Sequence, residues 1–269
     1  MFGLVDTHAH LQDKAFADDF DAVMARVREC RPAAVINAGT DLETSRQAVD
    51  MAEKEPNFWA LAGFHPHDAK KWNASSLTEL RHLLEHPRTA GIGEIGLDYH
   101  YDFSPRDVQK EVFLAQWRLA SELNMPAIIH VREAFDDFFR FISGEPNPPR
   151  VLLHCFSGTM DLARRALDSG FSFSIGGPLT YPKSEETRTI FRFLPDKSIH
   201  LETDCPYLAP VPCRGKRNDP SLLGHTFRKL CDVRRADPEE MAAVLRSNAL
   251  HFFSPRLRLP DTEDGPDLR

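Results

Sequence analysis

The stretch Leu4-Val5-Asp6-Thr7-His8-Ala9-His10 puts two histidines two residues apart where a short apolar run ends. Residues i and i+2 of a strand share a face and lie about 6.5–7 Å apart along the backbone. His8 and His10 can therefore converge on one ion from a strand tip. Taken alone, the same pattern describes a polar strand terminus with two solvated imidazoles. Further residues of the same kind decide between the two readings. "GFHPH" carries His65 and His67, "GEIGLDY" carries Glu94, "AIIHVRE" carries His130, "VLLHCFSG" carries His154, and "HLETDCPY" carries Glu202 and Asp204. Imidazole and carboxylate suit zinc and similar transition ions, and extra carboxylates and water admit manganese or magnesium. The set exceeds what one tetrahedral zinc needs. Glu94 is the candidate bridge between two divalent ions about 3.5–4 Å apart, an arrangement that activates water and clamps an in-line phosphoryl displacement.

These residues meet only if their strands end at one place. Short apolar runs alternate with longer amphipathic ones along the chain: strand candidates at 3–8, 33–39, 58–67, 89–99, 126–133, 150–158, 171–177 and 198–207, with helix candidates between and after them, the first at 16–30. Strands alternating with helical patterns imply βαβ units and a parallel sheet. Eight units in this length fit an α/β (β/α)8 TIM barrel, expected to form one domain over residues 1–254 with its active site at the C-terminal face. The glycines of "GIGEIG" (91–96) have the wrong spacing for a dinucleotide-binding turn. The polar stretch 255–269 is expected to fray.

Composition narrows the function classes. The chain has 269 residues, 42% hydrophobic and 27% charged, with a formal net charge of −7. An acidic protein does not attract nucleic acid through its global field, so an anionic substrate needs metal ions or a local basic patch. The five cysteines are odd in number and form no C-x-x-C pair, which predicts free thiols. There is no signal-like N-terminus and no apolar run of membrane-spanning length; a cytoplasmic protein without a membrane partner is expected.

"DTHAHL", "GFHPH", "GEIGLDYHYD", "IIHVREA", "HCFSG" and "LETDCPYLAPVPCRGKRNDP" together resemble the signature blocks of the TatD-type metal-dependent hydrolases, within the amidohydrolase-like TIM barrels. The resemblance covers about residues 4–253. It implies metal ligands His8, His10, Glu94, His130, His154 and Asp204, and metal-dependent DNase activity. Some members act on other phosphodiester bonds or on D-aminoacyl-tRNA esters. Val131, Glu133 and Cys205 depart from the family blocks without touching the ligand positions.

Asp204 is read as a ligand and as general base for the attacking water, with Glu94 as its catalytic partner. Glu202, two residues before Asp204 and so on the same strand face, is an outer ligand, an orienter of a ligand, or a buried ion-pair residue. The expected substrate contacts are His65, Arg132 and the basic loop residues Arg214, Lys216 and Arg217. His67 is read as capping the next turn. Tyr99 and Tyr101 are placed either to stack on a base or to pack their loop. Strand alternation predicts that Cys155 and Cys205 point away from the metals. The leading function is a deoxyribonuclease using two divalent ions on DNA, with RNA or aminoacyl-tRNA as further substrates. An ester or amide hydrolase on the same cage and a non-catalytic metal scaffold are the competing readings.

Overall fold

The computed structural model describes residues 3–259. Its strands are β1 (Val5–Ala9), β2 (Ala34–Ala38), β3 (Phe58–Ala62), β4 (Thr89–Asp98), β5 (Ala127–Arg132), β6 (Val151–Leu153), β7 (Ser172–Ile175) and β8 (Ile199–Leu201). Each pairs in parallel with the next, in the order β1 to β8. The helices are α1 (Phe20–Cys30), α2 (Leu42–Lys54), α3 (Ser76–Glu85), α4 (Arg106–Glu122), α5 (Phe135–Ile142), α6 (Met160–Asp168), α7 (Glu185–Phe193), α8 (Leu223–Arg234) and α9 (Pro238–Phe252). This is the predicted TIM barrel.

Side chains help close the seam between β8 and β1. Thr7 Oγ1 donates to the Leu201 carbonyl at 2.9 Å. The Asp6 carboxylate accepts the Thr203 N–H at 2.9 Å and its hydroxyl at 2.6 Å. The Asp204 N–H reaches the His8 carbonyl at 2.9 Å. The two ends of the chain's barrel are thus joined at the residues that carry functional groups. At the strand beginnings, Val5, Ala34, Ile36, Trp59, Ala90, Ile128 and Leu152 pack with Phe252, Phe253 and Leu257. Burying each of the Val, Ile, Leu and Phe side chains here contributes roughly 1.5–3 kcal/mol.

Two irregularities aim side chains at the C-terminal face. Between Asp6 and Ala9, β1 advances three residues while β2 advances two. Between Ile92 and Ile95, β4 likewise advances three against two of β5. Each is a bulge, which bends a strand and redirects a side chain. His8 lies in the first and Glu94 in the second. At Gly96 a Cβ would fall 1.9 Å from the His130 carbonyl oxygen. Only glycine lets β4 approach β5 closely enough to hold Glu94 beside His130.

Several elements are shorter than the sequence suggests. The first helix starts at Phe20, after a 3-10 turn at Lys14–Phe16 capped by Asp13. β3 ends at Ala62, β6 at Leu153 and β8 at Leu201. His65, His154, Glu202 and Asp204 therefore stand just past their strands. Face-sharing by alternation does not place Asp204, whose backbone is left-handed at φ 55°. The first residues of the stretch 255–269, expected to fray, pack against the barrel. Leu257 is buried, and Arg256 donates to the His86 carbonyl. Residues 260–269 lie outside the described residues.

Candidate metal centre

Glu94 is the hub of the C-terminal face. Its Oε2 lies 3.3 Å from His8 Nε2 and 3.5 Å from His10 Nε2. Its Oε1 lies 3.0 Å from His130 Nδ1, 3.4 Å from His65 Nε2 and 3.5 Å from His154 Nε2. Asp204 Oδ1 completes the ring, 3.5 Å from His10 Nε2 and 3.9 Å from His154 Nε2. The six residues named as ligands are thus brought together from five strands, with His65 added from the loop after β3. His8, His10, His65, Glu94 and His154 are buried and His130 and Asp204 half-buried, and all but His8 line a cavity of about 500 Å³.

The donor spacing fits metal ions. Two donors bound to one tetrahedral ion at about 2.0–2.1 Å are about 3.3–3.4 Å apart. His8 Nε2 and His10 Nε2 are 3.0 Å apart, and the distances around Glu94 bracket the same value. The two oxygens of Glu94 face different donor sets, His8 and His10 on one side and His65, His130 and His154 on the other. That division suits a bridging carboxylate.

Outer groups fix the rings. His10 Nδ1 lies 2.8 Å from the Ala38 carbonyl, which leaves Nε2 to the cage. His154 Nδ1 lies 2.9 Å from Glu202 Oε2, which also accepts the Ser174 hydroxyl at 2.5 Å. His130 Nε2 lies 3.0 Å from Asp98 Oδ2. Carboxylates behind ligand imidazoles set the tautomer and raise ligand basicity. Glu202 is therefore seated as an orienter of His154. Asp98, Ser174 and the seam residue Asp6 were not among the sequence-based candidates. Asp98 had a signal: it lies four residues after Glu94, at the end of the same strand.

The electrostatics follow from burial among opposite charges. Burial opposes ionisation of Glu94, but the imidazoles of His65, His154 and His8 outweigh it and hold the carboxyl well below its usual range. Burial opposes charge on His10, yet Asp204 and Glu94 push it up to about 10. His154 rises to about 10 in the same way, through Glu202 and Glu94. His65 goes the other way, to about 4, because burial dominates there. Burial likewise raises the Asp6 carboxyl to about 7. The cage is a site built for positive charge.

The expected substrate contacts separate into two groups. Arg132 lines the cavity, its guanidinium 4.8 Å from the centre of the Tyr101 ring. His65 and His67 line it too. The basic loop does not. Arg214 stacks on Tyr181, and Lys216 is exposed away from the cavity. Arg217 donates to Asp19 and to the Ala15 carbonyl, over the Phe16 ring. Its donors hold the turn after β1. Tyr99 also packs rather than faces the cavity, since its hydroxyl donates to Asp137 at 2.9 Å and Arg106 covers its ring. His67 does not cap the turn after β3: His65 does, its Nδ1 accepting the His67 N–H at 3.1 Å, and His67 Nε2 instead lies 2.9 Å from Asp98 Oδ2. Cys205 is buried in an apolar cluster with Ala9 and Leu11. Cys155 departs from alternation, with φ at 43° after β6 has ended. Burial and the carboxylates of Glu202, Asp204 and Glu94 push its thiol well up, which disfavours a nucleophilic thiolate.

The profile of the family described as TatD related DNase matches residues 5–254. "Uncharacterized metal-dependent hydrolase YabD" of Bacillus subtilis is 36% identical, over 93% of this chain and 98% of that protein. "3'-5' ssDNA/RNA exonuclease TatD" of Musicola paradisiaca is 34% identical, over 93% and 97%. The crystal structure of YJJV, a TatD homolog from Escherichia coli, superposes with a TM-score of 0.87 at 30% identity, covering 94% of this chain and 99% of that one. With a family match over nearly the whole chain and a barrel of the same form, the chain belongs to the TatD-related DNase family of metal-dependent hydrolases.

Proposed function

We propose that the protein is an exonuclease that removes nucleotides from single-stranded DNA or RNA ends with two divalent ions. The observation that carries this is the division of donors around the two oxygens of Glu94. His8, His10 and Asp204 would hold one ion and His130 and His154 the other, with Glu94 offering one carboxylate oxygen to each side. Bound there, the ions polarise the phosphoryl oxygens and make a water easier to deprotonate. Asp204, held as a carboxylate beside His10, takes the proton from the attacking water. His65, kept neutral by burial, and Arg132 contact the phosphate. Arg214 and Lys216, exposed beyond the cavity, meet only a longer strand. Relatives named as single-strand exonucleases support the substrate class. The five free thiols support a cytoplasmic location. Among the described residues no helix is long and apolar enough to cross a membrane.

The test is hydrolysis of end-labelled single-stranded DNA, the matching RNA and the duplex, by chelator-treated and metal-restored protein. Restored cleavage of single strands from one end supports the reading. Release of D-amino acids from D-aminoacyl-tRNA without any cleavage of the oligonucleotides overturns it.

A further inference from the structure

Large apolar side chains left in solvent are concentrated at the mouth of the metal cavity. Three of the seven among the described residues line it, Tyr101 after β4 and Tyr207 and Leu208 after β8, and a fourth, Phe103, stacks on Tyr101. β4 and β8 are half the ring apart in sheet order. The two loops therefore face each other across the cage. One is in ring contact with a cage imidazole, the other with a cavity-lining one. The Tyr207 ring centre is 6.5 Å from that of His10, and the Tyr101 centre is 5.4 Å from that of His67.

These rings are not exposed through slack in their loops. The Tyr101 N–H donates to Asp98 Oδ1 at 3.0 Å. Lys70 Nζ reaches the Phe103 carbonyl, and Ser104 Oγ donates to the His67 carbonyl. Across the mouth, Asn218 Nδ2 donates to the carbonyls of Thr203 and Tyr207, both at 2.8 Å. Tyr101 and Phe103 stack with ring centres 5.2 Å apart and planes 18° apart. Arg132 lies 4.8 Å from the centre of the Tyr101 ring, and both residues line the cavity. The result is a pair of pre-set apolar walls with a cation beside one of them, at the edge of a site for a phosphate.

We infer that the walls Tyr101–Phe103 and Tyr207–Leu208 clamp the base of the terminal nucleotide whose phosphate lies at the metal centre. The inference rests on the phosphodiesterase reading above. Base–aromatic stacking tolerates any sequence, because every base has a π-face. Rings held in place before binding lose little freedom when the base arrives. Arg132, set beside the Tyr101 ring, meets the charge that follows the base. A paired terminal base cannot enter between the walls, so the clamp selects unpaired ends. It also makes the base itself, and not only the phosphate, part of what is recognised.

The experiment compares two single-stranded oligonucleotides that differ only at the terminal residue, one ordinary and one an abasic tetrahydrofuran. Both are cleaved by the metal-restored protein, and kcat/KM for removal of the terminal residue is taken as a ratio. Stacking at alanine-scan strength predicts a ratio of about 5–150 in favour of the ordinary end. In Tyr101→Ala, Phe103→Ala and Tyr207→Ala the ratio falls toward one, whereas Tyr101→Phe restores it. Circular dichroism verifies folding in each variant. A wild-type ratio near one overturns the clamp and leaves the exonuclease reading standing. A large ratio that the alanine variants do not lower also overturns it. Failure of both oligonucleotides to be cleaved with any divalent ion overturns the exonuclease reading and the clamp with it.

Discussion

Asp98 Oδ2 lies 3.0 Å from His130 Nε2, on the side of the ring opposite Glu94. The same oxygen lies 2.9 Å from His67 Nε2. One buried carboxylate thus holds a cage imidazole and a cavity-lining imidazole at once, while its other oxygen accepts the N–H groups of His100 and Tyr101. Asp98→Asn removes the charge and cannot serve all four partners. Loss of such an outer partner typically lowers metal affinity or activity by about 10–100-fold. Competition with a chromogenic chelator should show that loss of affinity while the far-ultraviolet circular dichroism stays native.

Asp204→Asn tests the base. The amide keeps the shape beside His10 but takes no proton from water. General-base catalysis contributes about 10²–10⁴-fold, so kcat should fall at least that far in protein that still folds. Turnover near the wild-type rate in a folded, metal-loaded variant would refute the assignment.

Metal binding should release protons. His10 and His154 are each held protonated up to about 10, yet a ligand nitrogen must be free of its proton. Between pH 7 and 8 both protons leave when ions bind, so affinity rises as pH rises through this range. Titration calorimetry in buffers of different ionisation enthalpy reads the number directly. The expected value is at least two protons per chain, one each from His10 and His154, with His130, also raised by Asp98 and Glu94 against burial, adding to them. A value near zero contradicts the charge pattern.

The salt dependence of single-strand binding separates the two sets of cations. Arg132 lines the cavity, whereas Arg217 is tied to Asp19. Each phosphate contact to a single strand adds about 0.7 to the magnitude of the log–log salt slope. In the Asp204→Asn background, Arg132→Ala should lower the slope by about that amount. Arg217→Ala should leave it unchanged. Equal slopes for wild type and Arg132→Ala would remove Arg132 from the substrate contacts.

His200 gives a prediction away from the cage. It is buried between β8 and α9, with its ring 5.4 Å from that of Phe252 and no partner for Nδ1. Burial lowers it to about 3, below its ordinary 6.5. A folded-state value below the unfolded one means that protons favour unfolding. The contribution is fully present above about pH 6.5 and is lost as pH falls toward 3. Each such proton tilts stability by about 1.4 kcal/mol per pH unit. Denaturant melts of His200→Gln in chelator should therefore fall less steeply than wild type between pH 6 and 4.

How far the sequence reached depends on the kind of information involved. Strand and helix alternation is written in short-range periodicity, because backbone geometry fixes side-chain direction every two residues in a strand and every 3.6 in a helix. Eight such units lead to the barrel, and the barrel's ends bring His8, His10, Glu94, His130, His154 and Asp204 to one place. That much was legible residue by residue. The same rule failed for Cys155 and Asp204, because their strands stop short and the backbone turns left-handed. It could not foresee the bulge that aims Glu94, since a bulge is defined by the neighbouring strand as much as by its own. It also could not say which arginine faces the substrate. Arg217 sits in a run that reads as a phosphate loop, but its partner Asp19 is 198 residues away. Local geometry travels with the sequence. A charge's partner is decided only when folding sets distant residues side by side, and only the tertiary structure holds that choice.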